Sequence, residues 1–164
     1  MPKRFFHRPL PPLPWVCWLK IGLGGGVGIA LVAGIGEMSG IPLLIAPFGA
    51  TAVLLFGAPS SPLAQPPNVI LGHVAVSILA IALRAILPPD WWAIGLAVGL
   101  AMLLMAILRV THPPAGADPI VIFYADPGFE FVLVPILTGS LLLVTLAMMV
   151  HRVPPRTRYP LEPK

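Results

Sequence analysis

Charge is scarce in this sequence. Asp, Glu, Lys and Arg make up 10% of its 164 residues, against about 25% in an average soluble domain. The same chain is 57% hydrophobic. A soluble domain of this length cannot hide so much apolar surface, whereas lipid accepts it, so the chain reads as a membrane protein whose first partner is the bilayer. Cysteine is nearly absent, and Cys17 alone excludes an internal disulfide and any multi-cysteine metal site. No nucleophile with an adjacent base, no HExxH and no Gly-rich phosphate loop occurs, so no enzyme activity and no cofactor are expected. Ten Lys and Arg stand against six Asp and Glu. In a membrane chain that excess reads as orientation, and no nucleic-acid partner is expected.

Proline is plentiful, and its placement organises the chain, because proline breaks helix interiors. The 22 prolines cluster, leaving four stretches free of them: Trp15 to Ile41, Asn68 to Leu87, Asp90 to His112 and Ile136 to Val153. Each approaches the roughly 20 residues of a membrane span. Two shorter apolar segments, Ile41 to Gly57 and His112 to Ala125, are interrupted by Pro42, Pro47, Pro113, Pro114 and Pro119 and read as broken or re-entrant elements. Trp15, Trp18, Trp91 and Trp92 fall at segment ends, as an interfacial aromatic belt would place them. Gly22, Gly24, Gly25, Gly26 and Gly28, with the Gly95 and Gly99 pair, offer small-residue faces for close packing within one subunit or in a homo-oligomer.

The two interrupted segments resemble each other. Pro47-Phe48-Gly49-Ala50-Thr51-Ala52-Val53-Leu54-Leu55-Phe56 aligns without gaps on Pro114-Ala115-Gly116-Ala117-Asp118-Pro119-Ile120-Val121-Ile122-Phe123, with Pro, Gly, Ala and Phe at the same offsets. The expected fold is therefore all-α and integral to the membrane, with six transmembrane segments arranged as two inverted three-segment repeats. The halves run about 16–87 and 91–150 within a transmembrane domain 16–150. That domain is flanked by a basic, Pro-rich tail 1–15, read as a retained anchor's leader rather than a cleaved signal, and a basic tail 151–164. With six crossings and a cytoplasmic N-terminus, Lys3, Arg4, Arg8, Lys20, Arg109, Arg152, Arg156, Arg158 and Lys164 share the cytoplasmic face and Arg84 alone does not. Four spans, with both interrupted segments dipping in and returning, would also keep the termini together.

Irregular backbone inside a bilayer is tolerated only where it is buried in protein or lines a cavity. The Pro-x-Gly-Ala breaks thus imply a polar interior, with half-helices Ala50 to Phe56 and Ala117 to Phe123 aiming free N–H groups and positive dipole ends at it. Such paired half-helices suit transport of a small anion. Glycine at Gly49 and Gly116 would permit unusual backbone angles and close approach of a ligand. Thr51 and Asp118 share one repeat position. Thr51 would bond a ligand or cap its helix, and Asp118 would cap its own half-helix, carry a proton while buried, or select a cation instead. His112 closes the fourth helix and serves as gate, ligand or C-terminal cap. His73 lies one turn into the third helix behind an Asn68 N-cap, as a packing histidine or a ligand. His73, His112 and Asp118 lack helical metal-ligand spacing, and no metal is expected. Arg84 and Arg109 snorkel to headgroups or form anion-attracting vestibules at opposite mouths.

Thr111-His112-Pro113-Pro114-Ala115-Gly116-Ala117-Asp118-Pro119, together with Ala46 to Gly57, Pro62 to Asn68 and Gly72-His73, resembles the HPP family of integral membrane proteins. The resemblance covers Trp15 to about Val150. It implies a compact helical membrane domain and, for plastid and cyanobacterial members, nitrite transport. Unlike in some members, no appended soluble regulatory domain is expected here.

The sequence thus points to a transporter or channel for a small inorganic anion, nitrite first, in a bacterial inner membrane with both termini cytoplasmic. Its expected pathway runs by Pro47, Gly49, Ala50, Thr51, Asn68, His73, His112, Pro113, Pro114, Gly116, Ala117 and Asp118. The alternatives are a non-transporting scaffold or partner-binding subunit, a cation channel and an intramembrane enzyme.

Overall fold

The computed structural model describes residue 6 and residues 10–162. The basic residues Lys3, Arg4, Arg8 and Lys164 lie outside them. Among the described residues there are six α-helices and no strand: α1 (Trp15–Ser39), α2 (Pro47–Gly57), α3 (Pro66–Arg84), α4 (Trp91–Ile107), α5 (Asp118–Ala125) and α6 (Thr138–Arg152). Single 3₁₀ turns precede α3 (Pro62–Ala64) and α5 (Pro113–Ala117), and a wide π-type turn, Val132–Leu137, leads into α6.

The helix ends follow local chemistry. α1 stops because Gly40 takes the left-handed conformation (φ 70°). There Ile41 N–H donates to Gly36 O and Gly40 N–H to Glu37 O, the double bond pattern of a Schellman turn. Past this turn the chain doubles back along α1 so closely that a Cβ on Gly36 would lie 2.9 Å from Ile41 O. Pro47 opens α2 and Pro66 opens α3, at helix starts where a missing N–H costs nothing. Arg109 (φ 57°) turns the chain out of α4 and Asp126 (φ 47°) out of α5. Pro135 interrupts the last span, leaving Val134 extended (φ −139°, ψ 116°).

Among the described residues three helical spans are long and apolar enough to cross a membrane: Trp15–Ser39, Pro66–Arg84 and Val132–Arg152. The fourth expected span, α4, has 17 residues and falls just short by length. α3 is the central post, touching α4, α5, α6 and both 3₁₀ turns. α1 packs through Gly24, Gly28, Val32 and Gly36, where the first two glycines admit the Phe56 ring. α4 packs through Ala93, Ala97, Ala101 and Met105. Gly95 and Gly99 face outward with open space above each, so they are not the seam inside this subunit. Two ties fix the ends of the bundle: Arg84 on α3 bonds Asp126 after α5 at 2.8 Å, and Asn68 at the start of α3 donates to Thr111 O after α4 at 3.0 Å.

The C-terminal segment folds back onto the bundle. Lys20 donates to Val153 O (2.9 Å) and Pro155 O (2.6 Å). Tyr159 donates to Ala64 O at 3.0 Å, and Leu161 N–H to Gln65 Oε1 at 2.9 Å. Residues 153–161 therefore strap the loop between α2 and α3.

Candidate functional site

In a chain this apolar, a group of polar side chains with no solvent access stands out. Thr51, His73, Ser77, His112 and Asp118 are each 0% exposed. α3 contributes His73 and Ser77, four residues apart and so on one face. Thr51 comes from the second turn of α2 and Asp118 is the first residue of α5. His112 comes from the loop after α4, extended at φ −134° and ψ 100°, because the residue before a proline is pushed out of the helical region. Gly72 lets that loop in: a Cβ there would lie 3.0 Å from both His112 Cβ and Val110 O. Gly139 admits the Phe48 ring in the same way, and that ring stands edge-on to His73 at 5.3 Å.

The five side chains form one hydrogen-bonded line. His73 Nδ1 is 2.8 Å from Asp118 Oδ2, which also accepts from Ser77 Oγ at 3.3 Å. His73 Nε2 is 2.9 Å from Thr51 Oγ1, and His112 Nε2 is 3.0 Å from the same oxygen. His112 Nδ1 ends the line, donating to Leu63 O at 2.8 Å. Thr51 Oγ1 also lies 3.3 Å from Pro47 O, one turn back. Asp118 Oδ1 is buried with no partner. The imidazoles meet at Thr51, not at a point shared with Asp118, and among the described residues no three His, Cys, Asp or Glu side chains are grouped to hold a metal ion.

Beside this line the starts of α2 and α5 flank an open groove of about 680 Å³, lined by Ala46, Pro47, Ala50, Pro113, Pro114 and Ala117 with Leu54, Val121 and the exposed Val53 and Ile120. Small side chains from the two similar segments make the opening. The lining is apolar, and the polar atoms lie behind it.

Several sequence expectations are corrected. His112 does not close α4, which ends at Ile107, and it does not sit at an interface: it is buried at the centre. Asn68 does not cap α3; the helix starts at Pro66, and Asn68 instead holds the loop after α4. Asp118 makes no capping bond to α5 and turns to His73. The first half-helix starts at Pro47, not Ala50. The N–H groups expected to be free there are partly engaged, since Phe48 donates to Ile45 O and Gly49 to Ala46 O; before α5, Ala115 donates to His112 O. Gly49 and Gly116 have no positive φ and open space where a Cβ would stand, so neither is required by its backbone. Arg84 is held by Asp126 and by the carbonyls of Phe123 and Leu87, while Arg109 is exposed. Sequence reasoning missed Ser77 and Leu63 O. The four-residue spacing of His73 and Ser77 on an otherwise apolar helix was the available signal for the first.

Long apolar helices around a buried polar centre define a polytopic α-helical membrane protein. The family profile described as HPP, transmembrane region, matches residues 10–160, and the chain belongs to the HPP family of integral membrane proteins. It is similar to two transmembrane proteins of Dictyostelium discoideum. One is 34% identical over 93% of this chain and 57% of its own length. The other is 38% identical over 71% of this chain and 40% of its own length. The chain thus spans about half the length of these relatives or less. No solved structure matches it.

Proposed function

We propose that this protein carries a small inorganic anion, nitrite first, across the membrane between the starts of α2 and α5, and that it is not an enzyme. The observation that carries the reading is the meeting of two similar segments at one buried polar line beside an open groove of about 680 Å³. Burying polar groups is costly unless they are bonded, and packing alone gives no reason to gather five of them. Nitrite is the substrate that the HPP resemblance implies for plastid and cyanobacterial members.

The reading takes the two halves as inserted in opposite senses. In support, α2 ends beside Ile21 near the start of α1, whereas α5 ends at the Arg84 end of α3. The face holding Lys20, Arg152, Arg156 and Arg158 is then cytoplasmic. The outward Gly95 and Gly99 on α4 support contact between copies in a homo-oligomer. The test is uptake into proteoliposomes of nitrite, nitrate, formate, chloride and potassium, offered separately. Nitrite uptake well above empty liposomes is the expected result. Background flux for every ion, with the protein folded and inserted, would favour the non-transporting scaffold, and potassium-selective flux would favour a cation channel.

A further inference from the structure

The hydrogen bonds of the buried line count its protons. Leu63 O can only accept, so His112 Nδ1 carries a hydrogen. One more is shared between His73 Nδ1 and Asp118 Oδ2. Between the two Nε2 atoms stands the Thr51 hydroxyl, with a single hydrogen to give. If Asp118 were ionised and both rings neutral, each Nε2 would be a bare acceptor and Thr51 could satisfy one. The other would be left buried without a donor, and a net negative charge would stand among side chains that are 0% exposed.

One further proton removes both problems. Whether it rests on Asp118, His73 or His112, one Nε2–H donates to Thr51 Oγ1, the hydroxyl donates to the other ring, and the net charge is zero. A second proton also fits. Both Nε2–H groups then donate to the two lone pairs of Thr51 Oγ1, and the hydroxyl turns to Pro47 O, 3.3 Å away. Every bond is kept, but the line now carries one positive charge. Nothing nearby neutralises it. Phe48 and Thr51 face the line from α2, Ser77 and His73 from α3, Met105 from α4, and Asp118 from α5. Among the described residues no other ionisable side chain bonds to it: Arg84 is engaged with Phe123 O, Leu87 O and Asp126, and His151 with Leu55 O.

We propose that Thr51, His73, His112 and Asp118 form one proton-holding unit that takes up a proton together with each monovalent anion, with the Thr51 hydroxyl switching between a ring nitrogen and Pro47 O. This rests on the anion-transport reading above and names its coupling ion. In a dry interior the positively charged unit is strongly disfavoured alone. An anion entering from the adjoining groove supplies the missing charge, and on release both leave, so the cycle moves no net charge. The lower the pH on the side of uptake, the faster the transport.

The experiment loads proteoliposomes with a pH-sensitive dye, adds sodium nitrite outside, and clamps the membrane potential with potassium and valinomycin. Empty liposomes measure the acidification caused by nitrous acid crossing lipid. Above that background, one proton entering per nitrite, at a rate indifferent to the potential, is the expected result. The variant His112→Asn keeps a donor for Leu63 O but removes the second ring, and should lose the accompanying proton or slow uptake by at least about tenfold. Nitrite flux that follows the potential and brings no proton would overturn the symport and leave anion transport standing. No flux of any anion would overturn the transport reading itself. Unchanged one-to-one movement in His112→Asn would overturn the assignment to these four residues.

Discussion

Thr51 and Asp118 hold the same place in two similar segments, and they end on opposite nitrogens of one ring, His73. The hydroxyl is shared by two histidines and its own helix, whereas the carboxyl offers Oδ2 to two donors and leaves Oδ1 unpartnered. Similar backbones thus deliver two different chemistries to one residue that belongs to neither segment. A side chain with both a hydrogen and lone pairs can reverse the direction of its bonds; an ionised carboxylate can only accept. Thr51 is therefore the hinge of the line and Asp118 its anchor.

If that division holds, the largest effect belongs to the anchor. Asp118→Leu strands His73 and Ser77 in the core and should cost about 3–5 kcal/mol, the usual penalty for breaking a buried pair. Asp118→Asn, whose amide donates to His73, should cost clearly less; thermal unfolding in detergent compares them, and equal losses would show that size alone matters there. Thr51→Val leaves at least one ring nitrogen bare at about 1–3 kcal/mol, and Thr51→Ser should restore most of it. Next come the glycines. Gly72→Ala pushes His112 and Val110 away from α3 and should cost about 1–3 kcal/mol, while Gly116→Ala, with nothing to meet, should be nearly neutral.

A modest effect lies outside both segments. Tyr159→Phe removes the bond to Ala64 O and should cost about 1 kcal/mol. Burial raises the Tyr159 phenol above its usual range near pH 10. Above that pH the unfolded chain has lost a proton the folded chain still holds, so stability falls with rising pH. At neutral pH the contribution is intact, and Tyr159→Phe should unfold with a shallower alkaline slope.

Much of the fold was legible because proline and hydropathy act locally. The proline gaps placed α1, α3, α4 and α6 to within a few residues at most ends, and the repeated Pro-x-Gly-Ala marked α2 and α5. What the sequence did not disclose depends on contacts between distant residues. His112 looked like a helix end because nothing in Val110-Thr111-His112 announces that Arg109 turns left-handed and sends the loop over Gly72. Asn68 looked like a cap because its true partner, Thr111 O, is 43 residues away. Around the buried line the glycines were misjudged: Gly49 and Gly116 in the motif are open, and the close contacts there belong to Gly72 and Gly139. Of the buried line, four members were named from sequence and Ser77 was not, although their joining through Thr51 is a tertiary fact.

Initial nitrite uptake by Thr51→Val beside Thr51→Ser and wild type, corrected for inserted protein, tests whether the junction of the two segments is the working centre. A loss of about tenfold or more in the valine variant, with the serine variant within about threefold of wild type, is the expected outcome. Wild-type uptake by a folded Thr51→Val protein would contradict it.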